Sequence, residues 1–143
     1  MTTYTLAEAR DTIIGVFEDR WVNNAGLSLD DIYYQNRRAD EPDHNRVWCK
    51  FNLTNTAFNP DSLTSINNVR IFERNAIMII GLRFPLDEGI DDITTQAVLD
   101  IFEGGISSVS GIFFRNVTAT ELGVVGNWFR TNITAEITYN QVK

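Results

Sequence analysis

Residues 127–139 have the sequence NWFRTNITAEITY, the longest alternating run in the chain. Alternate residues of a strand share one face, so this run predicts a strand with one face in the core. The residues of that face are Phe129, Thr131, Ile133, Ala135, Ile137 and Tyr139. Residues 112–119 predict a preceding strand and residues 121–123 a turn, which together make a C-terminal hairpin.

The same period of two occurs upstream. Over residues 46–54 it predicts a strand with Cys49 in its core-facing series. Residues 69–73 and 76–84 predict two strands or a single long bent one. The sequence AIMII at 76–80 is apolar on both faces, which indicates a central strand covered on both sides or covered on one side by another subunit. A short strand is expected over 31–36 and a polar turn over 39–44.

Two segments predict helices. Thr5 and Glu8 have the spacing of a capping box, and apolar residues then recur at three- and four-residue steps over 6–22. A second apolar stripe spans residues 90–103, with Asp91 and Asp92 in the first turn and Gly104 after the last. The element order predicts one α+β domain over residues 1–143, with two helices on one face of a mainly antiparallel sheet.

Composition and motifs exclude several classes of protein. The chain has 143 residues, 43% of them hydrophobic and 22% charged, as in ordinary globular domains. Its formal net charge of −7 disfavours nucleic acid as a partner. One cysteine and one histidine exclude an intrachain disulfide and a Cys/His zinc cage. No apolar run reaches the length of a membrane span, and no N-terminal signal pattern is present.

The residues with reactive side chains do not predict an enzyme. His44 lies in a hydrophilic turn five residues before Cys49, and a buried thiol away from positive charge is inert. Paired carboxylates occur, but all lie at expected turns or helix starts and none has the spacing of a calcium loop. Nucleotide-binding, esterase and zincin motifs are absent from the sequence. We therefore expect no catalytic residues, no cofactor and no metal.

Charge is distributed unevenly along the chain. Residues 87–103 contain six acids and no base, whereas arginines fall on predicted strands. These surfaces are either two solvated faces or the two sides of a head-to-tail contact that closes into a ring. Trp48 and Trp128 lie opposite the core series, where we expect them to be exposed and to anchor a partner. The candidate interface residues are Asp87, Glu88, Asp91, Asp92, Arg70, Arg83, Arg130, Trp48 and Trp128.

Residues 55–68 are rich in Asn, Thr, Ser, Pro and Asp and show little periodicity. We expect a loop of this length in a compact domain to be a contact surface. Its candidate contact residues are Asn55, Phe58, Asn59, Asp61, Leu63 and Asn68.

The order of these patterns resembles the tail terminator proteins of tailed bacteriophages. The matching features are the N-terminal helix ending in Trp21, the strand VWCKF at 47–51 with its polar continuation, and residues 77–85 leading through DEG at 87–89 into a helix. They continue with GIFF at 111–114 and with a last strand that opens GNWF at 126–129. The resemblance covers nearly the whole chain and rests on the order of motifs that are individually common.

That resemblance implies a structural virion protein of tail-terminator-like fold with no enzymatic activity. Subunits of the family cap the tail tube as a hexameric ring, stop its elongation and offer their other face to a neck or head-completion protein. The resemblance further implies that residues 55–68 make the axial contact and that DNA passes through the lumen without specific binding. The alternatives are a neck, head-completion or tail-tube protein of the same virion and, more remotely, a small ligand-binding domain or enzyme with an acidic cleft.

Overall fold

A computed structural model of the chain describes residues 5–23, 25–34, 46–66, 69–86, 92–103 and 111–142. Two helices and five strands follow one another in these ranges, with one 3₁₀ turn before the first strand. They are α1 (Leu6–Asn23), the 3₁₀ turn (Leu29–Asp31), β1 (Ile32–Tyr34), β2 (Trp48–Ile66), β3 (Val69–Pro85), α2 (Asp92–Glu103), β4 (Ile112–Val125) and β5 (Trp128–Val142). Neither helix is both long and apolar enough to cross a membrane in the residues described.

The five strands form one sheet in the order β1-β2-β3-β5-β4. β1 pairs with β2 in parallel, and the other three pairings are antiparallel. The expected α+β class with a mainly antiparallel sheet is therefore confirmed. β3 lies in the middle, so its backbone is hydrogen-bonded on both sides.

Helix α1 covers one face of this sheet and closes the core. Its buried residues recur every four positions from Ala9 through Ile13 and Phe17 to Trp21, as the sequence pattern predicts. The Phe17 ring stacks on Phe51 of β2 with centroids 5.0 Å apart. Thr5 begins the helix as expected, since its hydroxyl accepts a hydrogen bond from the Glu8 amide at 3.1 Å.

Helix α2 contributes to the same core through Val98, which is fully buried with the core-facing residues of β3 and β5. Both helices therefore lie against one sheet face, as predicted. The helix starts at Asp92 in the described residues, whereas the expected start at Ile90 and the glycine at 104 lie outside them.

The prediction of a loop over residues 55–68 is wrong. β2 continues to Ile66 and pairs with β3 through Ile66↔Val69, so only residues 67–68 separate the two strands. The ladder is irregular between Asn55 and Phe58 and between Asn59 and Thr64, and Pro60 falls in the second irregularity, where a missing amide donor is tolerated. Pairing with the long strand β3 outweighs the low strand propensity of this polar segment.

β3 is one long strand, which decides between the two alternatives for residues 69–84. The prediction of a turn at 121–123 is wrong, because β4 continues to Val125 and the hairpin turns at residues 126–127. A register shift between Glu121 and Gly123 contains Gly123 at φ 82°. The turn itself contains Gly126 at φ 63°. A glycine thus marks both a bulge and the true turn, and the sequence pattern does not separate the two.

β1 is shorter than expected and follows the 3₁₀ turn that ends at Asp31. The Asp31 carboxylate is buried and accepts hydrogen bonds from Arg46 Nη2 at 3.1 Å and Nε at 3.4 Å. That contact raises the pKa of Arg46 and joins the start of β1 to the residues that precede β2. The polar turn expected over 39–44 lies outside the described residues.

Candidate interaction surface

The sheet face that points away from α1 and α2 carries the residues of interest. Its members alternate with the core series and include the even-numbered residues 48–54 and 128–138 and the odd-numbered residues 77–83. We call it the outer face. One half of it holds a group that we call the basic aromatic patch, made of Tyr33, Trp48, Lys50, Arg83, Trp128 and Arg130.

The sheet register brings this patch together. Trp48 lies opposite Arg83, and Arg83 lies opposite Arg130, so that three neighbouring strands each place one of these side chains in a single row. The Arg83 guanidinium carbon lies 5.6 Å from the centre of the Trp48 ring, and the Lys50 ammonium lies 5.9 Å from it. Both cations are within the range of a cation–π interaction.

The two tryptophans are buried, which corrects the expectation that they are exposed. Trp48 is 2% and Trp128 is 4% exposed. Their rings meet edge to face with centroids 5.6 Å apart, and Tyr33 packs edge-on against Trp48 at 5.2 Å. Alternation places them correctly on the outer face, but it does not show that aromatic rings on neighbouring strands cover one another.

Arg83 is also more buried than a surface interface residue should be, with 7% of its area exposed. Its guanidinium lies across Gly81, where an added Cβ atom would stand 2.7 Å from Arg83 Nη1. The same nitrogen donates a hydrogen bond to the Leu82 carbonyl at 3.4 Å. The glycine inside an apolar central strand was the sequence signal for this close approach.

The buried donors of the patch that have no acceptor among the described residues include Trp48 Nε1 and Arg130 Nε. Trp21, in contrast, donates its indole hydrogen to the Ser28 carbonyl at 2.8 Å. A buried donor without an acceptor costs about 1–3 kcal/mol. A partner that supplied acceptors would recover that cost, and it would first have to uncover both atoms, which are buried in the single chain.

The other half of the outer face is a half-open groove of about 380 Å³ with Ile77 on its floor. Its polar groups satisfy one another: Arg115 Nη2 donates to the Thr138 hydroxyl at 3.0 Å, and that hydroxyl donates to Asn75 Oδ1 at 3.2 Å. Ile77 itself remains 41% exposed. The described part of the chain thus leaves this position of the central strand uncovered.

The end of the β4–β5 hairpin exposes apolar side chains beside the patch. Leu122 is 50%, Val124 61% and Val125 44% exposed, and Val125 pairs with the buried Trp128. β4 is an edge strand of the sheet, so its outer backbone groups have no strand neighbour within the described ranges. The sequence pattern does not predict this apolar end, because it indicates a turn at 121–123.

The remaining candidate residues are dispersed. Arg70 lies in β3 and Asp92 is the first residue of α2, while Asp87, Glu88 and Asp91 lie outside the described residues. Asn55 is not a loop residue: its side-chain oxygen accepts a hydrogen bond from the Tyr139 hydroxyl at 2.8 Å. Four other expected contact residues belong to strand β2, and Asn68 lies outside the described residues. The four are Phe58, Asn59, Asp61 and Leu63.

Cys49 is a core residue, as predicted, and burial raises the pKa of its thiol far above the ordinary value. His44 lies outside the described residues, so the geometry of a Cys/His pair is not defined. In the ranges that the structure describes, no three His, Cys, Asp or Glu side chains group as a metal site would require.

Comparison with known proteins adds information on the fold. No family model matches the chain, and no curated protein matches it significantly. One similar solved structure superposes with a TM-score of 0.56 at 12% sequence identity, covering 91% of this chain and 94% of that one. A likeness at this identity shows that the α+β fold occurs elsewhere over nearly the same length.

Proposed function

We propose that the chain is a structural virion protein that acts as a tail terminator, closing a tail tube as a ring of identical subunits. The observation that carries the proposal is the basic aromatic patch, where Trp48 and Arg130 have buried donors without acceptors in the described residues. Tryptophan, tyrosine and arginine are the side chains enriched at the centres of protein interfaces. The sequence resemblance supplies the choice of virion and tail.

The proposed lateral contact joins the basic aromatic patch of one subunit to the acidic segment 87–103 of the next. That segment holds six acids and no base, in a chain with a net charge of −7. Asp100 of α2 is exposed and has the Gln96 amide as its hydrogen-bond donor, at 2.7 Å on the same helix. Two different surfaces that complement each other make a head-to-tail contact, and repetition of that contact closes a ring.

Exposure of Ile77 supports an oligomer as well. The sequence AIMII at 76–80 indicates a strand covered on both sides, yet Ile77 on the outer face is 41% exposed in the single chain. A second subunit packed over the outer face would cover it. We retain a hexamer as the proposed ring, on the resemblance alone.

The proposed axial contact moves from a loop to the β2–β3 hairpin. Residues 58–66 and 69–74 pair as two strands that end in a two-residue connection, so Phe58, Asn59, Asp61 and Leu63 belong to a hairpin arm. A hairpin arm reaches the tail tube with a defined backbone shape, whereas a loop would have to be ordered on binding. The opposite side of the ring would then meet the neck or head-completion protein, with DNA passing through the lumen.

The proposal predicts that a tailed phage encodes the chain, and the test is to delete the gene from that phage. Without this protein, we expect tail tubes of unregulated length that do not join heads, and addition of the purified chain should restore both length and joining. Tubes of normal length that fail to join heads would instead indicate a neck or head-completion protein. Absence of tubes would indicate a tube protein, and normal infectious particles would overturn a virion role.

A further inference from the structure

We propose that the exposed end of the β4–β5 hairpin of one copy of this chain packs into the outer-face groove of a second copy. The groove is the half-open one with Ile77 on its floor, here called the Ile77 groove. Apolar side chains of the hairpin end would cover Ile77, and Glu121 would pair with Arg115 of the neighbouring copy. The contact uses surfaces other than the basic aromatic patch, and it holds for a ring of copies whether or not that ring closes a tail tube.

The hairpin end lies outside the core of the chain. No side chain of β4 is buried from Thr118 to Val125, whereas Ile112 and Phe114 at the start of the same strand are buried. Successive residues of a strand face opposite sides, so this end is uncovered on both faces of the sheet. Val124, at 61%, is the most exposed large apolar residue in the described ranges. An exposed apolar patch of this kind marks an interaction site.

The Ile77 groove has room for apolar side chains. Its volume is about 380 Å³, and a second depression of about 280 Å³ adjoins it at Ile77 and Glu136. Pockets that hold a whole small-molecule ligand begin at about 300 Å³, so the two depressions together accept a few side chains. Ile77 is 41% exposed, although the sequence around it indicates a strand covered on both sides. An apolar occupant suits this floor.

The two surfaces carry opposite charges. Arg115, on the wall of the groove, is exposed and donates a hydrogen bond from Nη2 to the Thr138 hydroxyl. Glu136 stands opposite Arg115 in the sheet, but its carboxylate accepts a hydrogen bond from the Asn116 amide at 2.8 Å. Within the described part of the chain, neither Arg115 nor the exposed Glu121 forms an ion pair. A Glu121 carboxylate from a second copy would accept from the remaining N–H groups of this guanidinium.

The hairpin end and the groove lie at opposite ends of the sheet. Val125 pairs with Trp128 at the start of β5, whereas Glu136 in the groove lies much further along the same strand. At about 3.3 Å per residue the separation from Trp128 to Glu136 is about 26 Å, so the hairpin end does not reach the groove of its own chain. A contact between two different and distant surfaces joins copies head to tail, and its repetition closes a ring when the rotation allows.

The shape of β4 disfavours strand addition, which is the other common use of an edge strand. The ladder between β4 and β5 shifts register beside Asn116 and beside Gly123, which have φ values of 52° and 82°. Bulges twist an edge strand and interrupt the row of backbone groups that a second strand would need. The hairpin end therefore offers its side chains to the neighbouring copy.

Charge reversal in two separate chains tests the contact through self-association. In sedimentation velocity the parent chain should associate increasingly as its concentration approaches about 1 mM. Arg115→Glu and Glu121→Arg should each weaken association by about tenfold or more, because each brings like charges together. An equimolar mixture of the two variants should recover the association of the parent within about threefold, because every contact then joins opposite charges.

Arg20→Glu is the matched control for Arg115→Glu. Arg20 lies on α1, away from the outer face, and the substitution changes the net charge by the same amount. This variant should associate like the parent chain. Circular dichroism of every variant should match that of the parent, since all the substituted positions lie outside the core.

Engineered cysteines test which surfaces meet. The one native cysteine, Cys49, is buried and should not form cross-links. Under mild oxidation, a mixture of Ile77→Cys and Val124→Cys chains should form a disulfide-linked pair, whereas neither variant alone should do so. Self-linking of Val124→Cys at the same rate would show that two hairpin ends meet. Self-linking of Ile77→Cys would show that two outer faces meet, and either result would overturn the inference.

Two results of the sedimentation experiment would also overturn it. They are a parent chain that stays monomeric at about 1 mM, and a mixture of charge variants that associates no better than either variant alone. Tube capping tests the proposed function separately. Normal capping by the Arg115→Glu chain would contradict this contact alone, and a ring of the parent chain that does not cap tubes would contradict the terminator function alone.

Discussion

Replacing Gly81 by alanine tests whether Arg83 is held in the position that the structure shows. The new Cβ atom would stand 2.7 Å from Arg83 Nη1, closer than real Cβ contacts allow, so the guanidinium must leave its place near Trp48. The lost cation–π contact is worth about 1–2 kcal/mol for a buried cation. Alanine in a strand recovers about 0.5–1 kcal/mol relative to glycine. We expect a net loss between zero and about 1.5 kcal/mol.

Gly15 offers the matched control. It lies on the exposed side of α1, and an added Cβ would meet nothing within 4 Å. Gly15→Ala should therefore stabilise the chain by about 0.8–1 kcal/mol through helix propensity alone. Urea unfolding gives both free energies, and the Trp48 indole resonance reports the environment of the ring. If Gly81→Ala proves as stabilising as Gly15→Ala, with the Trp48 resonance unmoved, the close approach of Arg83 to Gly81 is wrong.

Three further predictions concern the core, pH and assembly. Phe17→Ala should lower the unfolding free energy by about 3–5 kcal/mol in urea titrations, because it removes a fully buried ring stacked on β2; a loss below about 1 kcal/mol would contradict that packing. Burial raises the pKa of Cys49 and Tyr139 in the folded chain, so the unfolded chain loses these protons at lower pH than the folded chain. The free energy of unfolding should therefore be constant at neutral pH and fall above about pH 9, and Cys49→Ala should remove the part of that fall that comes from the thiol. A free energy of unfolding that rises above about pH 9 would contradict the raised pKa values. Charge reversal at Asp91 and Asp92 should impair ring assembly in sedimentation while circular dichroism stays that of the parent, and unchanged assembly would remove the start of α2 from the interface.

The elements that the sequence predicts correctly are those whose pattern is local. Helix α1 was predictable because Thr5 caps it and its apolar residues fall every four positions. β5 was predictable because its core-facing residues alternate without interruption to Tyr139. In both cases the side chains that decide the structure belong to the element itself.

The wrong predictions concern residues whose structure depends on contacts with residues far away in the sequence. Residues 56–66 are polar and contain Pro60, yet pairing with β3 makes them a strand. The burial of Trp48 depends on Trp128, which is 80 positions away in the sequence and meets it only through the sheet register. The alternating pattern assigned both tryptophans to the correct face of the sheet. Whether they are exposed depends on the side chains of adjacent strands, which the pattern within one strand does not identify.

Four of the six residues of the basic aromatic patch were therefore predicted from the sequence, but the way they pack was not. Arg83, Arg130, Trp48 and Trp128 were candidate interface residues from charge and alternation. The contact of Arg83 with Gly81 and the unsatisfied donors of Trp48 and Arg130 appear only when three strands are aligned. This alignment also buries the two tryptophans that the sequence predicts to be exposed anchors.

Electron cryomicroscopy of tail tubes mixed with the purified chain is the most direct test of the central claim. We predict a closed ring of copies at one tube end, with segment 87–103 of each subunit seated on the Trp48–Arg130 row of its neighbour. Tubes that bind isolated subunits, or a ring in which that row faces solvent all round, would contradict the account.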